Sequence, residues 1–518
     1  MTIAAATATD CLQRDARLGA RWAWCIGLAI LLLPLVAFSQ PYLQDFPNHL
    51  SRIEIARAIN DPAIAANYEL LPLRPGNAAF DVVVTFLSAF MPPVEAGRLY
   101  VIVALVMIAT GALALRRAFG LPIDIVALAG LPFIYSASFS YGFLPYLMGM
   151  GLALHCMALW VRADGWPPGA RWLLAPAAML LAATHFYTLG IFAIFAAAET
   201  WQRRAGWTMW RSGWFWLRGL SDGLVLVPAV LFLFWAADTD KLAGTQAIEW
   251  SLEKPIQFFT TALGFGPWWM SLVALGAWAA IVGLAARRSR RYVDPRAVLA
   301  AAAMVAAFVV MPHRLGDLYS VDWRILNCAA PVFLAGLRLD LPEAAIARMR
   351  LQLLGFMGAL ALALSWVWLP AAAARADVLA ITEQIPPGSR LFWSVADPGT
   401  AAWVSSAGYG LYHAASHAAA VRRILVSTTF ALPGQHPLRF RDPLLRQGGN
   451  LSMLSASDLK RDLTHHKVRV ASIVTRFDYA LIYRPASATG AMLLPLSHMS
   501  LVATRGALQL YAIRPGSP

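Results

Sequence analysis

Charge is scarce in this chain. Only 14% of its 518 residues are Asp, Glu, Lys or Arg, while 59% are hydrophobic; soluble domains are roughly one quarter charged. A wholly water-soluble protein is excluded, because an ordinary core has no use for so much apolar surface. Cysteine is nearly absent as well. The four are Cys11, Cys25, Cys156 and Cys328. None has a partner at metal-ligand spacing and none follows residue 328, so neither structural zinc nor a disulfide-built tail is expected. No basic run is interleaved with a nucleic-acid motif, so the net charge of +14 does not point to a nucleic-acid partner.

The positive charge instead falls in short clusters between apolar runs: Arg14, Arg17 and Arg21; Arg116 and Arg117; Arg162 and Arg171; Arg203 and Arg204; Arg287, Arg288, Arg290 and Arg291; Arg348. That is the pattern of cytoplasmic loops in a polytopic membrane protein. The first apolar run, Trp22 to Phe38, is followed by Gln40 and Pro41 rather than a small-residue cleavage site, and reads as a retained first helix. Apolar runs at Trp22 to Phe38, Leu99 to Leu115, Leu121 to Phe139, Phe143 to Val161, Trp172 to Thr184, Leu189 to Ala198, Leu220 to Ala236, Trp268 to Ala285, Ala297 to Met311, Ile325 to Leu337 and Leu353 to Leu369 give about eleven spans. Phe80 to Met91 is too short and ends at Pro92 and Pro93. Reading it as interfacial or re-entrant keeps every basic cluster on the N-terminal side of the membrane.

The expected fold is therefore an α-helical polytopic bundle followed by a soluble α/β or α+β domain. Residues 1–370 form the membrane part, with an outward first loop and interfacial helices over 40–95, and residues 371–518 form an extracytoplasmic tail. In the tail, Arg390 to Val395, Arg423 to Ser427, Val468 to Val474, Tyr479 to Tyr483 and Leu501 to Ile513 read as strands. Ala376 to Gln384 and Ser457 to His465 read as helices.

Chemistry is sought in the outward loops. The segment QPYLQDFPNHLSRIEIARAIN follows the first span. Pro47 suits a helix start, with Phe46, Leu50, Ile53 and Ala56 on one face and Asp45, Asn48, His49 and Arg52 on the other, as in an amphipathic helix lying on a membrane. Asp45 is either a reactive carboxylate or simply a helix cap. The segment MPHRLGDLYSVDWRIL places His313, Arg314, Asp317, Asp322 and Arg324 outward; its arginines suit a lipid phosphate or are ordinary snorkelling charges. A hydroxyl-rich loop runs from Tyr135 to Tyr141. The turn Thr184-His185-Phe186-Tyr187 joins two short apolar segments and should lie buried or against a water-filled cavity.

An acidic residue just after the first span, an interfacial helix, short paired mid-chain spans and an outward C-terminal domain together resemble the GT-C superfamily of membrane glycosyltransferases. The likeness covers nearly the whole chain in architecture and little of it in motif. It implies an inverting transfer from a polyprenyl-phosphate-linked sugar to a glycan, lipid or protein acceptor at the outer face of a bacterial inner membrane. It also implies a cytoplasmic N-terminus, membrane lipids as surroundings and no nucleic acid. Asp45 matches the catalytic base by placement. Arg314 and Arg324 would hold the phosphate, and His49, Tyr141, His185 and His313 would line the substrate pocket. Many members carry a second acid beside the first. QDFPNH does not, Glu54 being the next, so no cofactor and no essential divalent metal is expected. Two other classes stay open: an inert envelope-assembly scaffold, and a transporter or flippase. Against the last stand the absence of an internal repeat and the few mid-span ionisable residues, chiefly Asp124 and His155.

Overall fold

A computed structural model describes residues 2–166, 170–204, 206–236, 248–287, 289–315, 318–395, 411, 413–431, 436–443, 445, 474, 476–484 and 499–514. From the N-terminus, α1 (Thr2–Ala37) leads to α2 (Phe46–Arg57), α3 (Pro62–Ala65), β1 (Tyr68–Leu70), α4 (Ala79–Leu87) and α5 (Pro93–Ala118). Next come α6 (Ile125–Gly130), α7 (Ala137–Tyr141), α8 (Leu144–Arg162), α9 (Ala175–Thr184) and α10 (Phe186–Arg203). Then follow α11 (Gly206–Met209), α12 (Gly213–Gly223), α13 (Val227–Ala236), β2 (Ile248–Glu249), α14 (Lys254–Thr260) and α15 (Trp268–Arg287). After these stand β3 (Arg290–Val293), α16 (Pro295–Val310), β4 (Arg314–Leu315), β5 (Leu318–Tyr319), α17 (Val321–Gly336), β6 (Leu337–Asp340) and α18 (Glu343–Ile381). The described tail holds β7 (Arg390–Val395), α19 (Ala418–Val421), β8 (Leu425–Val426), β9 (Leu438–Phe440), β10 (Tyr479–Tyr483), β11 (Met499–Arg505) and β12 (Leu508–Ile513).

Every expected span falls on helix. Among the described residues, five helices are long and apolar enough to cross a membrane: Leu18–Ala37, Pro93–Ala118, Leu144–Gly165, Trp268–Arg287 and Glu343–Gln384. The other expected spans lie on shorter or broken helices. Leu121 to Phe139 is interrupted by a 3-10 turn at Leu131–Ile134, where Pro132 lacks the N–H that a continuing α-helix would use. Asp124 caps the first piece, accepting from the Val126 and Ala127 amides at 2.9 and 3.2 Å. α4 has 9 residues, and Val82, Phe86 and Phe90 on or just after it are exposed. At ~1.5 Å per residue such a helix covers less than half of a hydrocarbon core.

The chain divides into two compact units. The first comprises Met1–Ser39, Pro75–Ala79 and Leu99–Leu364; the second comprises Gln40–Arg74, Phe80–Arg98 and Ser365–Pro518. Residues 40–74 and 80–98, read from sequence as part of the membrane portion, thus cluster with the C-terminal residues.

In the first unit, glycines let α5 and α8 approach closely. A Cβ on Gly151 would lie 2.6 Å from Met107 Cβ, and one on Gly111 would lie 2.8 Å from the Gly151 carbonyl oxygen. Small residues at such a crossing are the usual means of packing membrane helices. Arg116, expected as a loop charge, is instead 1% exposed. It binds Asp124 and donates to the carbonyls of Pro122, Leu334 and Leu337. Two short antiparallel sheets lie in this unit, β3 paired with β6, and β4 paired with both β2 and β5.

In the second unit a five-stranded sheet runs in the order β11-β12-β10-β7-β8. β7 lies parallel to β8 and β10, while β12 is antiparallel to β10 and β11. Leu391, Phe392 and Trp393 of β7 are all buried, as a central strand covered on both faces requires. Val378 and Ile381 from the end of α18 join that core. The expected strands Arg390 to Val395 and Tyr479 to Tyr483 appear as drawn, and Leu501 to Ile513 is a hairpin rather than one strand. Arg423 to Ser427 shortens to β8. The expected helix at Ser457 to His465 lies outside the described residues, as does the expected strand at Val468 to Val474 except for Val474, which is buried.

α2 differs from expectation. Its apolar stripe is buried, but Asn48, His49, Ser51 and Arg52 on the other face are buried too, each no more than 4% exposed. It is not a helix with one face in water. Its polar side chains find protein partners within the second unit, and those partners define the site.

Candidate functional site

Asp45 stands immediately before α2, with Pro47 in the first turn. It occupies the cap position without acting as a cap. Its backbone is already helical at φ −89°, ψ −8°, and its side chain accepts no bond from the first turn; a capping side chain works from an extended backbone. The carboxylate is nevertheless kept from bulk water, the residue being 8% exposed. Oδ1 lies 3.4 Å from Nε2 of His413.

That contact is not an ion pair. His413 is 2% exposed, and burial pushes its pKa down from 6.5 to about 3, so the ring is neutral near pH 7. The spacing also exceeds the usual 2.7–3.2 Å of an N–H···O bond. One turn along, Nε2 of His417 lies 3.6 Å from Oε2 of Glu54. Asp45 just before α2 and Glu54 within it are thus set against His413 and His417, which stand just before and at the end of a 3-10 turn.

Phe430 organises the surrounding rings. It meets His413 at 5.0 Å and His49 at 5.8 Å, both edge to face, and stacks on His436 at 4.9 Å. Its amide donates to Oδ1 of Asn48 at 3.1 Å. Behind His49, Arg52 grips Asp81 of α4 through two bonds, Nε to Oδ1 at 2.7 Å and Nη2 to Oδ2 at 2.6 Å. Nη2 also reaches Nδ1 of His49 at 3.1 Å. A guanidinium only donates, so Nδ1 of His49 accepts and its ring proton sits on Nε2.

A second cluster lies in the first unit. The guanidinium of Arg324 is held between the rings of Phe143 and Tyr187, 4.4 and 5.0 Å from their centres. Cation–π contact of this kind keeps a charge in place without neutralising it. The Tyr146 hydroxyl donates to the Arg324 carbonyl, and its ring meets His185 edge-on at 5.7 Å. His185 is a single extended residue between α9 and α10, and its Nδ1 accepts from the Tyr187 amide at 3.3 Å. The expected turn is thus one residue long, and α10 is an 18-residue helix where a short segment was expected. His313 lies 3.0 Å from Oδ1 of the fully buried Asp322, whose Oδ2 lies 3.4 Å from Lys254. Trp323 joins His313 to Tyr141 through ring contacts at 5.2 and 5.3 Å.

Of the seven residues singled out from sequence, Tyr141, His185, His313 and Arg324 therefore gather in the first unit, while Asp45 and His49 gather in the second. Arg314 turns to Glu249, 2.9 Å away across the β2–β4 pairing. Asp317 lies outside the described residues. Among the described residues, no group of three or more His, Cys, Asp or Glu side chains is placed to hold a metal ion.

No family model matches the chain, and no curated protein matches it. Among solved structures it is similar to the crystal structures of ArnT from Cupriavidus metallidurans in the apo state and bound to undecaprenyl phosphate. Each gives a TM-score of 0.43 at 13% identity, covering 95% of this chain and 97% of that one for the first, and 96% and 98% for the second. Likeness of that size assigns no activity.

Sequence reasoning missed His413, Phe430, Asp81 and Lys254. Nothing local marks them. Asn48 and Phe430 are 382 positions apart, and the tail around His413 reads as an ordinary soluble stretch. A faint signal existed in the i, i+4 spacing of His413 and His417, which puts both rings on one side of a helical turn.

Proposed function

We propose that the chain is a membrane glycosyltransferase that moves a sugar from a polyprenyl-phosphate-linked donor to a glycan, lipid or protein acceptor at the outer face of a bacterial inner membrane. In this reading the N-terminus is cytoplasmic, the C-terminal residues are extracytoplasmic, and transfer inverts the anomeric centre. Asp45 is the general base. It takes the proton of the acceptor hydroxyl as the oxygen attacks the anomeric carbon in line, and the carrier phosphate leaves from the opposite face.

One observation carries this assignment. Asp45 is a shielded carboxylate without a capping role, facing an imidazole that is neutral. A protonated histidine at that distance would stabilise the carboxylate anion and weaken it as a base; a neutral one does not. Arg324 is the cation suited to the leaving phosphate, because the rings of Phe143 and Tyr187 hold its guanidinium in place without neutralising its charge. His49, Tyr141, His185 and His313 supply ring edges and N–H or O–H groups of the kind that orient sugar hydroxyls.

The test is transfer of labelled sugar from a polyprenyl-phosphate donor in membrane vesicles, by the wild type and by Asp45→Asn. Loss of transfer with an unchanged thermal midpoint supports the base. Equal transfer by both proteins removes it.

A further inference from the structure

Arg375 of α18 belongs to neither cluster. It is 1% exposed, and its guanidinium carbon lies 4.9 Å from the centre of the Tyr42 ring. Tyr42 in turn meets Trp368 edge-on at 6.0 Å. All three guanidinium nitrogens are buried, and among the described residues none has an acceptor within hydrogen-bond reach. The contrast with the two other fully buried arginines is sharp: Arg52 is engaged by Asp81, and Arg116 by Asp124.

A guanidinium does not lose its proton at ordinary pH. A charge taken out of water with no counter-ion is the least favourable state available to it, so an anion has a strong reason to be there. Tyr42 covers one face of the planar group by cation–π contact and leaves the N–H fork to recognise an oxyanion in bidentate fashion. Position indicates which oxyanion. On the same helix Trp366 and Leu369 are 63% and 58% exposed, and beyond them no large apolar side chain of α18 is exposed. Arg375 follows Leu369 by six positions, or ~9 Å along the axis. The headgroup zone extends ~5 to 8 Å beyond the hydrocarbon on each side; the backbone of Arg375 is at its outer edge, and a helical side chain leans back toward the N-terminus of its helix, here toward Leu369 and the lipid phosphates.

We propose that Arg375 anchors a phosphate-binding site in which an oxyanion, carried by a lipid headgroup or arriving as free phosphate, docks on the buried guanidinium fork beside Tyr42. The site does not depend on sugar transfer. A chain with no transferase activity would still bind phosphate here.

The experiment uses the full chain purified in detergent, titrated with dihexanoyl phosphatidic acid, with inorganic phosphate, and with dihexanoylglycerol as the phosphate-free control. Wild type is expected to bind phosphatidic acid at least tenfold more tightly than Arg375→Met, with Arg375→Lys between them and dihexanoylglycerol indifferent to the substitutions. Binding of phosphatidic acid alone identifies a headgroup site, whereas binding or competition by inorganic phosphate identifies a site for the free anion; either supports the proposal. Equal binding by Arg375→Met, or no binding of either phosphate probe by wild type, overturns it. Should Arg375→Met fail to fold, hydrogen exchange on the wild type decides: phosphatidic acid must slow exchange over residues 370–381, and unchanged exchange there rejects the site.

Discussion

Nε2 of His413 stands 3.4 Å from Oδ1 of Asp45, and burial holds that imidazole neutral down to about pH 3. In His413 the carboxylate therefore meets a dipole, not a cation. This relationship makes the titration of His413 measurable apart from any catalysis.

In the unfolded chain His413 ionises near its ordinary 6.5, and in the folded protein near about 3. Between those values the unfolded state binds the additional proton, so stability falls as the pH is lowered, by up to about 1.4 kcal/mol per unit for one such group. The contribution is fully present above pH 6.5. The thermal midpoint followed from pH 7 to pH 5 should drop less steeply in His413→Phe than in wild type. Equal slopes would show that the titrating group lies elsewhere.

Asp45→Asn should lower the rate of transfer by roughly 100-fold to 10,000-fold, the range a positioned acid or base contributes. Asn keeps the shape of Asp, and the thermal midpoint measured on the same preparation separates lost chemistry from lost folding. Glu54→Gln, one acid further along α2, should keep most of the rate. A reversal of that order would move the base from Asp45 to Glu54.

The Arg52–Asp81 pair is buried on both sides, at 1% and 7% side-chain exposure. Asp81→Ala leaves a buried guanidinium uncompensated and should destabilise the chain by about 3 to 5 kcal/mol. Replacing both partners, Arg52→Met with Asp81→Leu, should recover much of that loss. A double variant as unstable as the single one would mean that Arg52 is held chiefly by other contacts, His49 first among them.

Gly151→Ala places a methyl 2.6 Å from Met107 Cβ and 2.8 Å from the Met107 carbonyl carbon. Backbone cannot swing aside as a side chain can, so a loss of about 1 to 3 kcal/mol is expected from overpacking. Gly190→Ala in α10 meets nothing within 4 Å and should be neutral or slightly stabilising. Chemical denaturation of both variants in one detergent checks the contrast.

The helices at all the expected apolar runs, the central strands at Arg390–Val395 and Tyr479–Tyr483, and the short α4 were legible in the sequence. Each follows from properties of consecutive residues: apolar length, β-branched and aromatic runs, and the prolines that stop them. Breaks within runs were less legible, since Pro132 marks the interruption but not whether a 3-10 turn or a kink results. Helix exposure was misjudged where it depended on distant partners. α2 has an amphipathic pattern, yet both faces are buried, because Asp81 and the Phe430 amide answer Arg52 and Asn48.

Hydrophobic run length and basic clustering are summed along the chain and need no fold to be counted, so they mark a membrane protein from sequence alone. The sequence also drew attention to Asp45. What Asp45 faces, that Arg116 is a buried tie rather than a loop charge, and that Arg375 has no counter-ion among the described residues all depend on long-range contacts. A polar group's state is set by whatever comes within about 3 to 4 Å of it, and those neighbours arrive from segments whose sequences carry no mark of the meeting.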